Sequence, residues 1–175
     1  DTVTHLNTFT AMIPEHDVEV GDILIDQFEV TNLQYKTFLE ANGMAPSKDL
    51  LDLNWYYWKS GKKLEGLPPG KENHPVRGVN LFESGRCARW MGKRIPTETE
   101  WEYIARRGLK PDEFYPWGGK GWTGWDKTKC ANVKNSSQGS DGIYPWPVGH
   151  WKDDVSEDGV LDLCGNVAEW TQSPF

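Results

Sequence analysis

Two stretches of the sequence gather oxygen donors at a density that suits a hard divalent cation. In ANVKNSSQGSDGI, residues 131–143, Asn132 and Asp141 offer side-chain oxygens, and Val133 and Ile143 can add backbone carbonyls. In DLCGNVAEW, residues 162–170, Asp162 and Glu169 are anionic, while Gly165 and Val167 can present carbonyls from a tight turn around Asn166. Calcium takes six to eight such oxygens at about 2.3–2.6 Å, and loops rich in Gly, Asn and Asp can wrap it. The same residue types also cap turns by bonding side chain to backbone, so the residues alone leave both roles open.

The remaining reactive side chains point to no complete catalytic set. Cys87, Cys130 and Cys164 lack C-x-x-C or Cys/His spacing, which argues against structural zinc and against a thioredoxin-like pair. Buried, inert thiols are the expectation, with a Cys130–Cys164 bridge open if the two oxygen-rich loops are neighbours. His5, His16, His74 and His150 are scattered, without the spacing of a non-haem iron site. Ser136, Ser137 and Ser140 have no readable His/Asp arrangement beside them. Glu98, Glu100 and Glu102 in PTETEWEY could resemble paired general acids, but a capping box and a solvated helix face account for them better. Trp55 and Trp58, with Trp117, Trp122 and Trp125, could line a groove for a peptide or glycan, although core packing is the more frequent use of Trp.

Short elements must position these residues. VEVGDILIDQFEV (18–30) alternates apolar and polar residues around a Gly-Asp turn signal, which predicts strands near 17–20 and 23–30. Thr31 or Asn32 can cap a helix over 32–42 that stops at Asn42-Gly43. The stretch 46–73 reads as a long surface excursion with a half-buried aromatic cluster. Asn80 caps a second helix, LFESGRCARWM, which ends at Gly92, and Thr97-Glu98-Thr99-Glu100 is a capping box opening a third that ends near Gly108. Beyond Lys110 the punctuation by Gly and Pro predicts loops tied to a few short strands.

The 175 residues fit one domain, 1–175, with an extended N-terminal segment over 1–16. The formal charge of −7 repels phosphate backbones, so nucleic acid is not an expected partner. The aromatic content of 13%, including 10 Trp, gives large surfaces to bury and excludes a disordered chain. Apolar runs fall far short of the roughly 20 residues that span a bilayer, so no membrane span is expected. The chain opens on Asp1 rather than Met, which fits either a removed leader or an excised piece.

The blocks IDQFEVTNLQY (25–35), HPVRGVN (74–80), CARWMGKRIPTETEWEYIARRG (87–108), YPWG (115–118), PVG (147–149) and GVLDLCGNVAEWT (159–171) together resemble the formylglycine-generating enzyme, or sulfatase-modifying-factor, domain family. The resemblance covers roughly 18–175 and implies an α+β fold, a C-type-lectin-like variant with few short helices, short antiparallel strands and long ordered loops. It also implies two calcium ions, one at the positions of Asn132, Val133, Asp141 and Ile143, the other at those of Asp162, Gly165, Val167 and Glu169. The family's oxidase binds Cu(I) through two cysteines near its C-terminus and, with O2, converts a substrate cysteine to formylglycine. None of the three cysteines here matches those positions, so copper is not expected in this chain, which is C-terminally incomplete relative to the family. The Gly-rich opening usual before the first hairpin is absent, and Ala168 replaces a Trp often found between Val and Glu.

The expected function is therefore a calcium-stabilised, non-catalytic module of an exported protein, periplasmic or extracellular. It would bind a protein, peptide or glycan, or serve as a subunit of a larger assembly. Weak loop-bound calcium needs an ion-rich compartment, whereas an odd cysteine count gives no disulfide argument for export. Two alternatives stand beside it: the N-terminal part of a copper-dependent formylglycine-generating oxidase, and the scaffold of a diversified ligand-binding lectin-like protein.

Overall fold

The computed structural model describes residues 20–47, 50, 70–121, 124–126, 128–130 and 145–172. Three short helices stand out among them: α1 (Asn32–Ala41), α2 (Leu81–Trp90) and α3 (Glu98–Arg106). Each opens on a reciprocal capping box, Thr31 with Gln34, Asn80 with Glu83 and Thr97 with Glu100. In each, one side chain accepts from a backbone N–H at the helix start and the other returns the favour at the cap, so two orphan donors are satisfied together. The ends are also local. Asn42 Nδ2 donates to the Phe38 carbonyl at 2.7 Å, and Gly43 and Gly92 follow α1 and α2 with φ of 60° and 74°.

The helical spacing of Tyr35, Phe38 and Leu39 puts all three on one face of α1, where they bury with Cys87 of α2. Phe38 is 2% exposed, its ring 5.5 Å from Tyr35 and 5.9 Å from Trp90. A second core forms where Trp101 and Ile104 of α3 meet Val160 and Leu163, with Ile23 and Ile25 packed against it. Two Glu residues of α3 have structural partners: Glu100 closes the capping box and takes both guanidinium nitrogens of Arg94 at 2.6 and 2.7 Å, and Glu102 pairs with Arg106.

The strand expected over 23–30 is not formed. Antiparallel pairing among the described residues is limited to isolated bridges, Thr31 with Pro75, Glu113 with Lys120 and Val155 with Leu161. Residues 23–30 have strand alternation, but a strand needs a neighbouring backbone, and among the described residues only Gln27 and Val30 of this segment find one. Gln27 accepts from the Leu161 N–H and Val30 from the Val76 N–H. The strand expected near 17–20 lies, except for Val20, outside the described residues, as does most of the excursion over 46–73.

Coil, not sheet, ties the described residues together. The start of α1 is held by 71–76 through Asn32 N to His74 O at 2.9 Å, and Asn32 Nδ2 to Lys71 O at 2.9 Å. Asn73 in turn accepts from Val148 N–H at 2.9 Å, which brings 145–150 alongside. Gly149 sits at φ 67° with the Phe28 ring against its α-carbon, where any Cβ would overlap the ring.

Candidate functional site

The block 159–171 folds as a loop that doubles back on itself. Gly159, at φ 83°, turns the chain so that Ser156 and Val160 pair, Val155 bridges Leu161, and Asp162 N–H returns to the Asp154 carbonyl at 3.0 Å. Asp154 is fully buried, and its two carboxylate oxygens both accept from the Cys164 N–H at 3.1 Å. Two non-glycine residues then take left-handed backbone, Asp162 at φ 64° and Asn166 at φ 62°. Asx side chains tolerate that region best, and such conformations collect at sites where a side chain must be aimed.

Asn166, 3% exposed, is the clamp of this loop. Its Oδ1 accepts from Trp146 N–H at 2.9 Å, and its Nδ2 donates to the Trp146 carbonyl at 3.1 Å and to Glu29 Oε2 at 2.8 Å. Glu29 Oε1 accepts from Val167 N–H at 3.2 Å. Asp162 is fully buried; its Oδ2 accepts from Gly149 N–H, while its Oδ1 has no hydrogen-bond partner among the described residues. A buried carboxylate oxygen left unpaired is costly, because desolvation falls on a charged acceptor with nothing to replace water.

The loop crowds four acids. Burial, and then the Asp162 carboxylate, push Glu29 up to about 8 against the hydrogen bonds from Asn166 and Val167. Burial lifts Asp154 to about 7 even with the Cys164 N–H bonds opposing it. Asp162 is raised by burial, although the Gly149 N–H, His150 and Lys152 counter it. Glu169 is pushed well above the usual carboxylate range, by burial first and then by Glu29. Burial holds each of these groups away from its charged form, and like charge adds to it at Glu29, Asp154 and Glu169. A divalent cation is the chemistry that would relieve both.

A description of the Sulfatase-modifying factor enzyme 1-like domain matches residues 2–175. The chain belongs to this family. It is 31% identical over 183 residues to a hercynine oxygenase of Mycolicibacterium thermoresistibile, covering 93% of this chain and 38% of that protein. A formylglycine-generating enzyme of Mycobacterium tuberculosis is 30% identical over 93% of this chain and 67% of its own length. A serine/threonine-protein kinase Pkn1 of Chlamydia trachomatis is 32% identical over 91% of this chain and 24% of its own length. The chain thus spans between about a quarter and two thirds of these relatives.

Asp162, Gly165, Val167 and Glu169 all lie within the 159–171 loop. Asn132, Val133, Asp141 and Ile143 lie outside the described residues. No three His, Cys, Asp or Glu side chains converge in metal-holding geometry among the described residues. A cation here would rely on Asp162, Glu169 and carbonyls. The sequence reading missed Glu29, Asp154 and Asn166 as partners. Glu29 had a signal: it shares the alternation parity of Ile23 and Ile25, a carboxylate on the inward side. Asp154 had none.

The family's copper chemistry does not fit the cysteines present. All three are free; Cys87 and Cys130 are buried and Cys164 partly so. Burial raises each thiol, that of Cys130 to about 11, with the Asp154 carboxylate adding to the rise at Cys130 and Cys164. Soft-metal binding needs thiolates, and these sites disfavour them. Among the tryptophans suggested for a groove, Trp117 stacks on Tyr115 at 5.0 Å and donates to the Gly124 carbonyl at 2.9 Å, which is packing. Trp55, Trp58 and Trp122 lie outside the described residues.

Proposed function

We propose that this sulfatase-modifying-factor domain is a calcium-stabilised module whose own residues are non-catalytic. It works in an exported protein by binding a protein, peptide or glycan, or by building an assembly. The observation that carries the calcium reading is Asp162: fully buried, left-handed, with one carboxylate oxygen unpaired among the described residues, in a loop that holds Glu169 and packs against Glu29 and Asp154. Calcium bound by Asp162, Glu169 and the Gly165 and Val167 carbonyls would supply the missing partner and offset the crowding of like charge. A second ion would use Asn132, Val133, Asp141 and Ile143. The proposed architecture is α+β of the C-type-lectin-like kind, with the isolated bridges as traces of its short strands. Raised thiols at Cys87, Cys130 and Cys164 support the non-catalytic reading.

Isothermal titration of chelator-treated protein with calcium tests it. Binding heat that is lost in Asp162→Asn is the expected result, and no calcium heat in the folded wild type would sink the reading. The similarity to formylglycine-generating enzymes favours one alternative, a share in a copper-dependent oxidase whose cysteine pair lies outside these residues. Copper found with calcium in the complete gene product, together with oxidation of a cysteine peptide, would establish that alternative.

A further inference from the structure

A cavity of about 200 Å³ lies where the turn at 70–74 faces the segment 145–150. Lys71, His74 and His150 are among its described lining residues, and no carboxylate is. The chain carries 26 acidic residues against 19 Lys and Arg, so a wall that gathers three nitrogen donors and excludes acids runs against the net charge of −7. Within the turn, Glu72 is exposed and its Oε1 accepts from Gly70 N–H at 3.3 Å. Lys71 and His74 are 8% and 9% exposed. An anion brought to them is drawn in at reduced dielectric, where a charge-assisted hydrogen bond is stronger than in water.

The walls are fixed by the chain itself. The Lys71 carbonyl accepts from Asn32 Nδ2 at 2.9 Å and from His74 N–H at 3.2 Å, and Val148 N–H ties the two walls together at Asn73 O. Trp146 has both backbone groups bonded to the Asn166 side chain and sits between Pro145 and Pro147, which also line the cavity. Its indole lies almost flat on the His150 imidazole, with centroids 4.2 Å and planes 16° apart, and Trp151 meets both rings edge-on. The cavity thus has a basic side and a flat, apolar side, and a preformed site lowers the ordering cost of binding. Its volume is that of about seven waters, which suits a ligand well below drug size. An inorganic anion would leave the apolar side unused.

We propose that this cavity binds a small organic carboxylate. Its oxygens accept from Lys71, with His74 and His150 as further donors, and its short apolar body lies against Trp146, Pro145 and Pro147. None of these residues is a proposed calcium ligand, so the proposal goes beyond the calcium reading and is tested separately from it.

The full chain, with calcium present, is titrated with benzoate, its neutral isostere benzamide and inorganic phosphate, and the ring proton resonances of His74 and His150 are followed. Nine non-hydrogen atoms at ordinary ligand efficiency put the benzoate dissociation constant at about 1–10 mM. Benzoate is expected to shift both rings saturably and to bind at least about ten-fold more tightly than benzamide or phosphate. Lys71→Met and His150→Gln should each weaken benzoate while leaving any calcium heat of the folded protein unchanged. His150 is exposed, so its variant keeps the test open even where Lys71→Met fails to fold. Benzamide binding as tightly as benzoate, rings unmoved at about 50 mM benzoate, or full affinity in either folded variant overturns the proposal. Phosphate binding more tightly than benzoate assigns the cavity to an inorganic anion and overturns it too. Benzoate binding without calcium heat sinks the calcium reading alone.

Discussion

Asn166 shows how much one side chain can hold. It joins Glu29 and Trp146 to its own loop through three hydrogen bonds, one to a carboxylate, and its left-handed backbone suits Asn better than a residue with only a Cβ. Asn166→Ala therefore removes the bonds and strains the turn, and should cost about 2–4 kcal/mol in a urea titration. Asn166→Gly separates the two effects: it relieves the backbone but not the bonds, and should recover about 1 kcal/mol of that loss. Equal losses in the two variants would show that backbone strain contributes nothing. Asn166 was legible in the sequence as a turn residue. Its role as a clamp was not, because Glu29 is 137 positions away in the chain.

At the scale of elements, the helices were the most legible part of the fold, since a capping box is a local event within four residues. The Thr97–Glu100 box, the cap at Asn80 and the stops at Gly43 and Gly92 all appear where the sequence placed them, and the structure adds Glu83 as the reciprocal partner of Asn80. Glu100 gives this a pH signature. Hydrogen bonds from Arg94, and then from the Thr97 N–H, hold it at about 2 against an ordinary 4.5. A depressed carboxylate contributes stability that is present above its unfolded value and lost as pH falls towards its folded one. The difference in melting temperature between wild type and Glu100→Gln should thus be constant above pH 5, shrink below about 4.5 and vanish near 2. A difference that persists unchanged at pH 2 would assign the effect to packing. In α1, Phe38→Ala empties the centre of the first core and should cost about 3–5 kcal/mol by chemical denaturation. The strand at 23–30 is the opposite case. Its alternation was visible, but a ladder requires a second backbone, and no local pattern specifies where that comes from.

For the whole molecule, the second core and the acid-rich loop meet at Asp162 and Leu163, so an ion bound there would be coupled to global folding. If calcium binds the folded chain only, ion at a hundredfold excess over its dissociation constant adds about 2.7 kcal/mol, read as a chelator-reversible rise in melting temperature. Magnesium, smaller and reluctant to shed water, should give little of that rise. No helix among the described residues is long and apolar enough to cross a membrane. The sequence by itself determined the family, the three capped helices and the placing of Asp162, Gly165, Val167 and Glu169 on one loop, because each rests on residues close together along the chain. Only the tertiary structure decided that Glu29 and Asp154 crowd the same loop, and that one Asp162 oxygen is left without a partner among the described residues. Those facts depend on which distant backbones come together and which are missing, and burial and pairing are properties of the packed chain that no short window of residues contains.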